Sequence, residues 1–147
     1  MSDEFKDNSE NVLKAVDKAF KKAGNIIGGL AETQAKRNIR DAVYSSPQGW
    51  YIRTGNLRNS ITHEYRESDK TVVIGTNVKY APYVELGTGV YAEGGNGRKT
   101  PWRYQDAKGN WHATSGMKPR PFLRPVFEEH RDEYMAVLKK VFEEDLK

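Results

Sequence analysis

The stretch Thr71–Gly89, TVVIGTNVKYAPYVELGTG, decides how the rest of the chain is read. Val72, Val73 and Ile74 form a β-branched run that suits a pleated surface, and Gly75 with Asn77 supplies the freedom to turn out of it. Ala81-Pro82 predicts a helix start, because proline at the first helical position gives up an N–H that has no partner there. Tyr80 with Val84, and Tyr83 with Leu86, fall at helical spacings, and Gly87 is expected to stop the helix in a left-handed cap. Each large side chain buried in such a segment contributes about 1.5–3 kcal/mol. The segment is therefore expected to clip the core together and not to act as a catalytic loop.

Upstream, polar and apolar residues alternate from Leu57 to Arg66, with Leu57, Ile61, His63 and Tyr65 on one face. With Ser68-Asp69 as the turn and Lys70–Gly75 as the partner strand, this predicts an antiparallel hairpin. Further upstream, Val12, Val16, Phe20, Ala23, Ile27 and Leu30 recur every three or four residues from a start at Asp7, where Asp7 and Glu10 are placed as a capping pair. Gly24 and the pair Gly28-Gly29 are expected to bend or break this helix, at about 0.8–1 kcal/mol each relative to alanine. It resumes over Ala31–Val43, with Ile39, Ala42 and Val43 on its apolar side, and ends in the loop Ser45–Gly49.

Downstream, 88–117 is an insert. Glycines at 87, 89, 94, 95 and 97 lead into a second hairpin, in which Trp102 and Tyr104 face Trp111 and Ala113 across the turn Asp106–Gly109. Pro125 then opens a C-terminal helix whose expected buried stripe is Phe127, Tyr134, Leu138 and Val141, joined by Val126 and Val137. Glu128 and Glu129 sit early in it and Lys139 and Lys140 late, as the helix dipole favours. The expected fold class is α+β, a small antiparallel sheet with an inserted β-hairpin, flanked by long N-terminal and C-terminal helices. The whole of 1–147 is expected to form a single domain.

Three ordered strings resemble one known family. They are Arg53–Ile61 (RTGNLRNSI), Ile74–Thr88 (IGTNVKYAPYVELGT) and Arg120–Phe127 (RPFLRPVF). Together they resemble the gp-ten-like phage tail-component family, small proteins of the siphophage head-to-tail junction. The resemblance implies a structural virion protein, a tail completion or tail terminator subunit of a ring, most simply a hexamer. Its neighbours would be a head-side connector or stopper protein and the tail tube or terminator. DNA would pass through the lumen without sequence reading, and assembly would occur in the host cytoplasm.

Composition agrees with such a role. The chain has 147 residues, no cysteine, and 24 basic residues against 20 acidic ones. That excludes disulfides, thiolate metal sites and cysteine nucleophiles. No apolar run approaches the ~20 residues that cross a bilayer, and the acidic start MSDEFKDNSE is read as no secretory signal, so no membrane partner is expected. The three histidines show no ligand spacing, no GK[ST] follows the glycines, and Glu128-Glu129 point to different helix faces, so neither cofactor nor enzyme activity is expected. The candidate interface residues are Tyr83, Glu85, Trp102, Tyr104 and Trp111, with Arg53, Arg58, Arg120 and Arg124 placed to bridge subunits or hold loops against carboxylates such as Glu85. The alternative is a small nucleic-acid-binding protein that stacks bases on the hairpin aromatics among its basic clusters.

Overall fold

The computed structural model describes residues 7–44, 55–106 and 108–146. Its longest element is α1, Ser9–Ile39, 31 residues and so about 46 Å of helix, ending in a π-type turn at Arg40–Tyr44. Neither Gly24 nor Gly28-Gly29 breaks it. Gly24 and Gly28 instead face the first hairpin, formed by β1 (Thr62–Arg66) and β2 (Thr71–Gly75). A Cβ on Gly24 would run into the Tyr65 ring, and one on Gly28 into the His63 ring. The match is geometric: four residues along a helix rise about 6 Å, and two along a strand about 6.6 Å. Two strand rings therefore seat over two helix glycines, and the close approach offsets the low helix propensity of glycine.

The same logic moves the buried stripe of α1. The buried positions are Ala19, Ala23, Gly24, Gly28, Ala31, Ala35 and Ile39, whereas Val12 and Leu30 are exposed and Val16, Phe20 and Ile27 are partly buried. The small residues form the packed face because other elements approach closest there. At the start of α1, Asp7 accepts a hydrogen bond from the Ser9 N–H at 2.9 Å, while Glu10 pairs forward with Lys14 and does not close the expected capping pair.

Leu57 lies in a short helix, α2 (Asn56–Asn59), and not in the first strand. Gly55, at φ 79°, opens that turn, and Leu57 and Ile61 both enter the core one helical turn apart. The expected helix at Ala81 is present as α3 (Ala81–Leu86), with Pro82 in its first turn and Gly87 at its end. Gly87 has φ 79° and ψ 175°, so it leaves the helix in an extended glycine conformation and not in the left-handed helical one. Only Ala81 and Val84 of α3 are buried, and Tyr80, Tyr83 and Leu86 stay exposed.

The C-terminal helix is divided into α4 (Arg124–Glu128) and α5 (Arg131–Asp145), with His130 at the start of the second. Val126 and Tyr134 both enter the main core. Eight residues apart, they would stand about 80° apart around one continuous helix, and the interruption lets both face inward. Phe127, expected in the stripe, is 41% exposed. The core centres on Phe122, Ile39, Ile61 and Val126. A second cluster of Ala19, Ala23 and Val141 joins α1 to α5, where Phe20 meets Phe142 edge-on at 4.8 Å. The second hairpin, β3 (Trp102–Gln105) with β4 (Trp111–Thr114), forms a separate two-stranded sheet.

Candidate subunit and partner interface

The three strings singled out in the sequence are held to one another by hydrogen bonds. The Ser60 hydroxyl bonds the Leu57 carbonyl at 2.6 Å and lies 2.5 Å from the Thr76 hydroxyl, which accepts the Val78 N–H at 3.0 Å. The first string is thereby tied to the second. Glu85 then ties the second to the third. Its carboxylate accepts the N–H groups of Phe122 and Leu123 on Oε2, at 2.7 and 3.0 Å, and of Arg124 on Oε1, at 3.0 Å. The Arg120 N–H donates to the Val84 carbonyl at 2.8 Å alongside. A carboxylate that takes amide donors at a helix start satisfies groups the helix itself cannot, and lies favourably in its dipole.

Glu85 is therefore first an acceptor of backbone amides and only peripherally an arginine partner. Arg124 Nε stands 4.0 Å from Glu85, while its Nη2 straddles both oxygens of Glu93 at 2.9 and 3.1 Å. Arg58 is exposed on α2, and Arg53 lies outside the described residues. Arg120 lines a concavity of about 610 Å³ together with Tyr91, Trp102, Tyr104 and Lys118. The fold thus brings Trp102, Tyr104 and Arg120 together, with the Arg98 guanidinium 5.5 Å from the Trp102 ring and the Lys118 ammonium 5.8 Å from that of Tyr91.

Trp111 is elsewhere. The register pairs Trp102 with Thr114 and Tyr104 with His112, so Trp111 and Ala113 share the opposite, outward face with Arg103 and Gln105. The expected facing of Trp102 and Tyr104 by Trp111 and Ala113 is thereby corrected. The reason is the loop, which is closed by Asp106 N–H to the Asn110 carbonyl at 2.9 Å and runs one residue longer than the four read as a turn. Changing the register by one residue exchanges the faces of a strand. Trp111 is 60% exposed, with the Arg103 guanidinium 5.6 Å from its ring.

Asp106 organises that loop. Its Oδ1 accepts the Lys108 and Asn110 N–H groups, both at 2.9 Å, and its Oδ2 meets His112 Nε2 at 2.8 Å. The imidazole, followed by the two backbone donors, holds the carboxyl well below its ordinary range, at about 2. At the other end, Thr88 and Met117 close the segment between them: Thr88 N–H donates to the Met117 carbonyl at 2.8 Å and Met117 N–H to Thr88 Oγ1 at 2.9 Å. Val90 N–H adds a bond to the Ser115 carbonyl at 3.0 Å. Gly89 and Gly116 have positive φ, and a Cβ on either would strike backbone of the opposing segment.

A smaller polar cluster joins α1 to β1. Glu32 is 2.5 Å from His63 Nδ1 and 2.8 Å from Lys36 Nζ, and these partners lower its carboxyl pKa, Lys36 most. Among the described residues no group of His, Asp or Glu is arranged to hold a metal ion, and no helix is long and apolar enough to cross a membrane.

Tyr83, a candidate from the sequence, is joined on the surface by residues that were not candidates. Tyr80, Tyr83 and Leu86 recur every three residues on the outer side of α3, followed by Val90 and Tyr91, each 45% exposed. Their signal was present, because Ala81 and Val84 already account for the buried side of so short a helix. A family model described as "Bacteriophage HK97-gp10, putative tail-component" matches residues 1–87. It covers the first string and all but the last residue of the second, and stops at Gly87. No curated protein and no solved structure matches this chain.

Proposed function

The chain belongs to the HK97-gp10-like family of phage tail components, and we propose that it is a ring-forming subunit of the head-to-tail junction. In this reading one domain, 1–147 with its 88–117 insert, serves tail completion or tail termination in a tailed phage or a phage-derived tail. Family membership implies a virion location and contacts with other phage structural proteins. The finer assignment puts a ring of about six copies between the connector or stopper and the tail tube or terminator, assembled in the host cytoplasm, with DNA in the lumen. The role is structural and needs neither catalysis nor a cofactor.

One observation carries this reading. The clamp of Glu85 on 122–124 and the Ser60–Thr76 contact fix α3 rigidly, yet its outer side offers Tyr80, Tyr83 and Leu86 to water. A rigid, exposed row of large apolar residues is a surface prepared for a partner. Tyr83 is its centre and Glu85 positions it. Trp102 and Tyr104, and Trp111 separately, supply contacts from the insert, Arg120 adds to the first pair, and Arg53, Arg58 and Arg124 hold loops in this reading. The test is the mass of the purified protein by light scattering over a concentration series, alone and with the major tail tube protein. A closed oligomer of about six copies is expected, and a monomer under both conditions counts against the ring.

A second reading, a nucleic-acid-binding module, is favoured by the stacking of Arg98 on Trp102 and of Arg103 on Trp111. Binding of that kind falls steeply with salt. Retention of DNA that is insensitive to salt, or no retention, removes it.

A further inference from the structure

The charges of this chain are segregated. From Thr88 to Arg124 there are seven Lys and Arg residues against two Asp and Glu, whereas 125–147 carries seven acidic residues against four basic ones. Both acids of the basic segment are already engaged, Glu93 by Arg124 and Asp106 by His112. What that segment shows to solvent on its outward face is Trp111 with Arg103 stacked beside it. Tryptophan and arginine are among the residues most enriched at the energetic centres of protein interfaces.

The acidic segment carries a surface of matching character. An open apolar groove of about 560 Å³ lies between α1 and α5, lined by Phe20, Met135, Ala136, Leu138 and Phe142, with Asp132 and Lys139 at its rim. Met135 is 53% exposed, and Glu128, Glu129 and Asp132 are exposed around the start of α5. The groove is lined by side chains that suit an indole, and the Asp132 carboxylate at its rim suits a guanidinium that arrives with one.

We infer that the Arg103–Trp111 face of one subunit docks into the α1–α5 groove of the next copy of the chain, with the indole against Met135 and Phe142 and the guanidinium toward Asp132. This rests on the ring reading and adds to it the two surfaces that meet. The contact is head-to-tail, because the patch given differs from the patch received, and such contacts close into rings when the rotation between neighbours divides a full turn. Opposite charge sets the approach and register of the two copies, and burial of the indole slows their separation.

A chain without cysteine allows disulfides to be placed at chosen positions. Ala113 shares the outward hairpin face with Trp111, Ala136 lines the groove, and both are exposed. Proteins carrying Ala113→Cys and Ala136→Cys separately are mixed in the assembled state, with the tail tube protein when the assembly needs it, and oxidised. The expected result is a dimer linked between 113 and 136, since a disulfide forms only where the two Cα atoms come within about 7 Å. Adding Trp111→Ala with Arg103→Glu to the hairpin partner is expected to lower the cross-linked yield at least tenfold. Asp132→Arg in the groove partner is expected to recover most of the yield lost to Arg103→Glu alone. An assembly of normal mass without this cross-link overturns the inference and leaves the ring standing, whereas no assembly, alone or on the tube, overturns both. Normal rings of the Trp111→Ala, Arg103→Glu protein that no longer retain duplex DNA at low salt overturn it in favour of a lumenal hairpin.

Discussion

The two hairpins of this protein differ by one residue in strand length and are held by opposite means. β1–β2 lies along α1, with Tyr65 and His63 seated over Gly24 and Gly28, and with its tip tied across by Lys21 to Glu67 at 2.8 Å and Lys70 to Asp17 at 3.2 Å. β3–β4 is held at its neck by Thr88 and Met117 and within its own loop by Asp106. The first derives its order from side chains that a neighbour lacks, and the second from hydrogen bonds it makes to itself. A hairpin of the first kind cannot move without opening the core, whereas one of the second kind is free to present a face.

The largest effect is expected where the two regions are joined. Glu85→Ala leaves three amide donors without their carboxylate, one of them on the fully buried Phe122, and is expected to cost about 3 kcal/mol in chemical denaturation. Glu85→Gln, which keeps one acceptor oxygen, should cost less. An equal loss for both variants would mean that the one acceptor oxygen left in Gln contributes nothing without the charge.

Next comes the seated hairpin. Gly24→Val places a branched side chain where the Tyr65 ring lies, and overpacking of that kind costs about 1–3 kcal/mol, more than the gain in helix propensity returns. Tyr65→Ala in the same chain is expected to restore part of the loss. Additive losses would show that the ring and the glycine do not depend on one another.

The free hairpin should be far more tolerant. Trp111→Ala is expected to change the stability of the isolated subunit by no more than about 0.5 kcal/mol, since the ring is 60% exposed. The smallest global effect is expected from acid. The Asp106 carboxyl titrates at about 2, below its ordinary 3.8, so its stabilisation is complete above 3.8 and fades as the pH falls toward 2. Amide exchange over 106–112, corrected for the intrinsic rate, should therefore quicken as the pH falls from 4 to 2. Equal quickening in β1–β2 would contradict the separation of the two.

Much of the architecture was legible in the residues. The strand at Val72–Ile74, the helix at Ala81-Pro82, the second hairpin and the long N-terminal helix all follow from period, proline and turn chemistry. Where the reading failed, two patterns coincided or the decisive group was small. Leu57 and Ile61 share a face in either a strand or a helix, and spacing alone does not choose between them. The buried stripe of α1 is alanine and glycine, which a search for large apolar side chains passes over. The single-helix reading of the C-terminus did not weigh the eight residues between Val126 and Tyr134. Of the candidate site, Glu85 was identified, but with arginine as its partner. Its backbone partners lie 37 to 39 residues away, and no local pattern announces a bond to an amide.

The neck at Thr88 and Met117 also bears on how such a chain diversifies. Because the two ends of the insert meet within one hydrogen bond of each other, what lies between them can be lengthened, shortened or replaced without redirecting the chain that enters or leaves. The requirement at the junction is narrow, a pair of glycines at 89 and 116 where the opposing backbones touch. A graft of an unrelated hairpin between those two positions would be a change of cargo on an unaltered chassis.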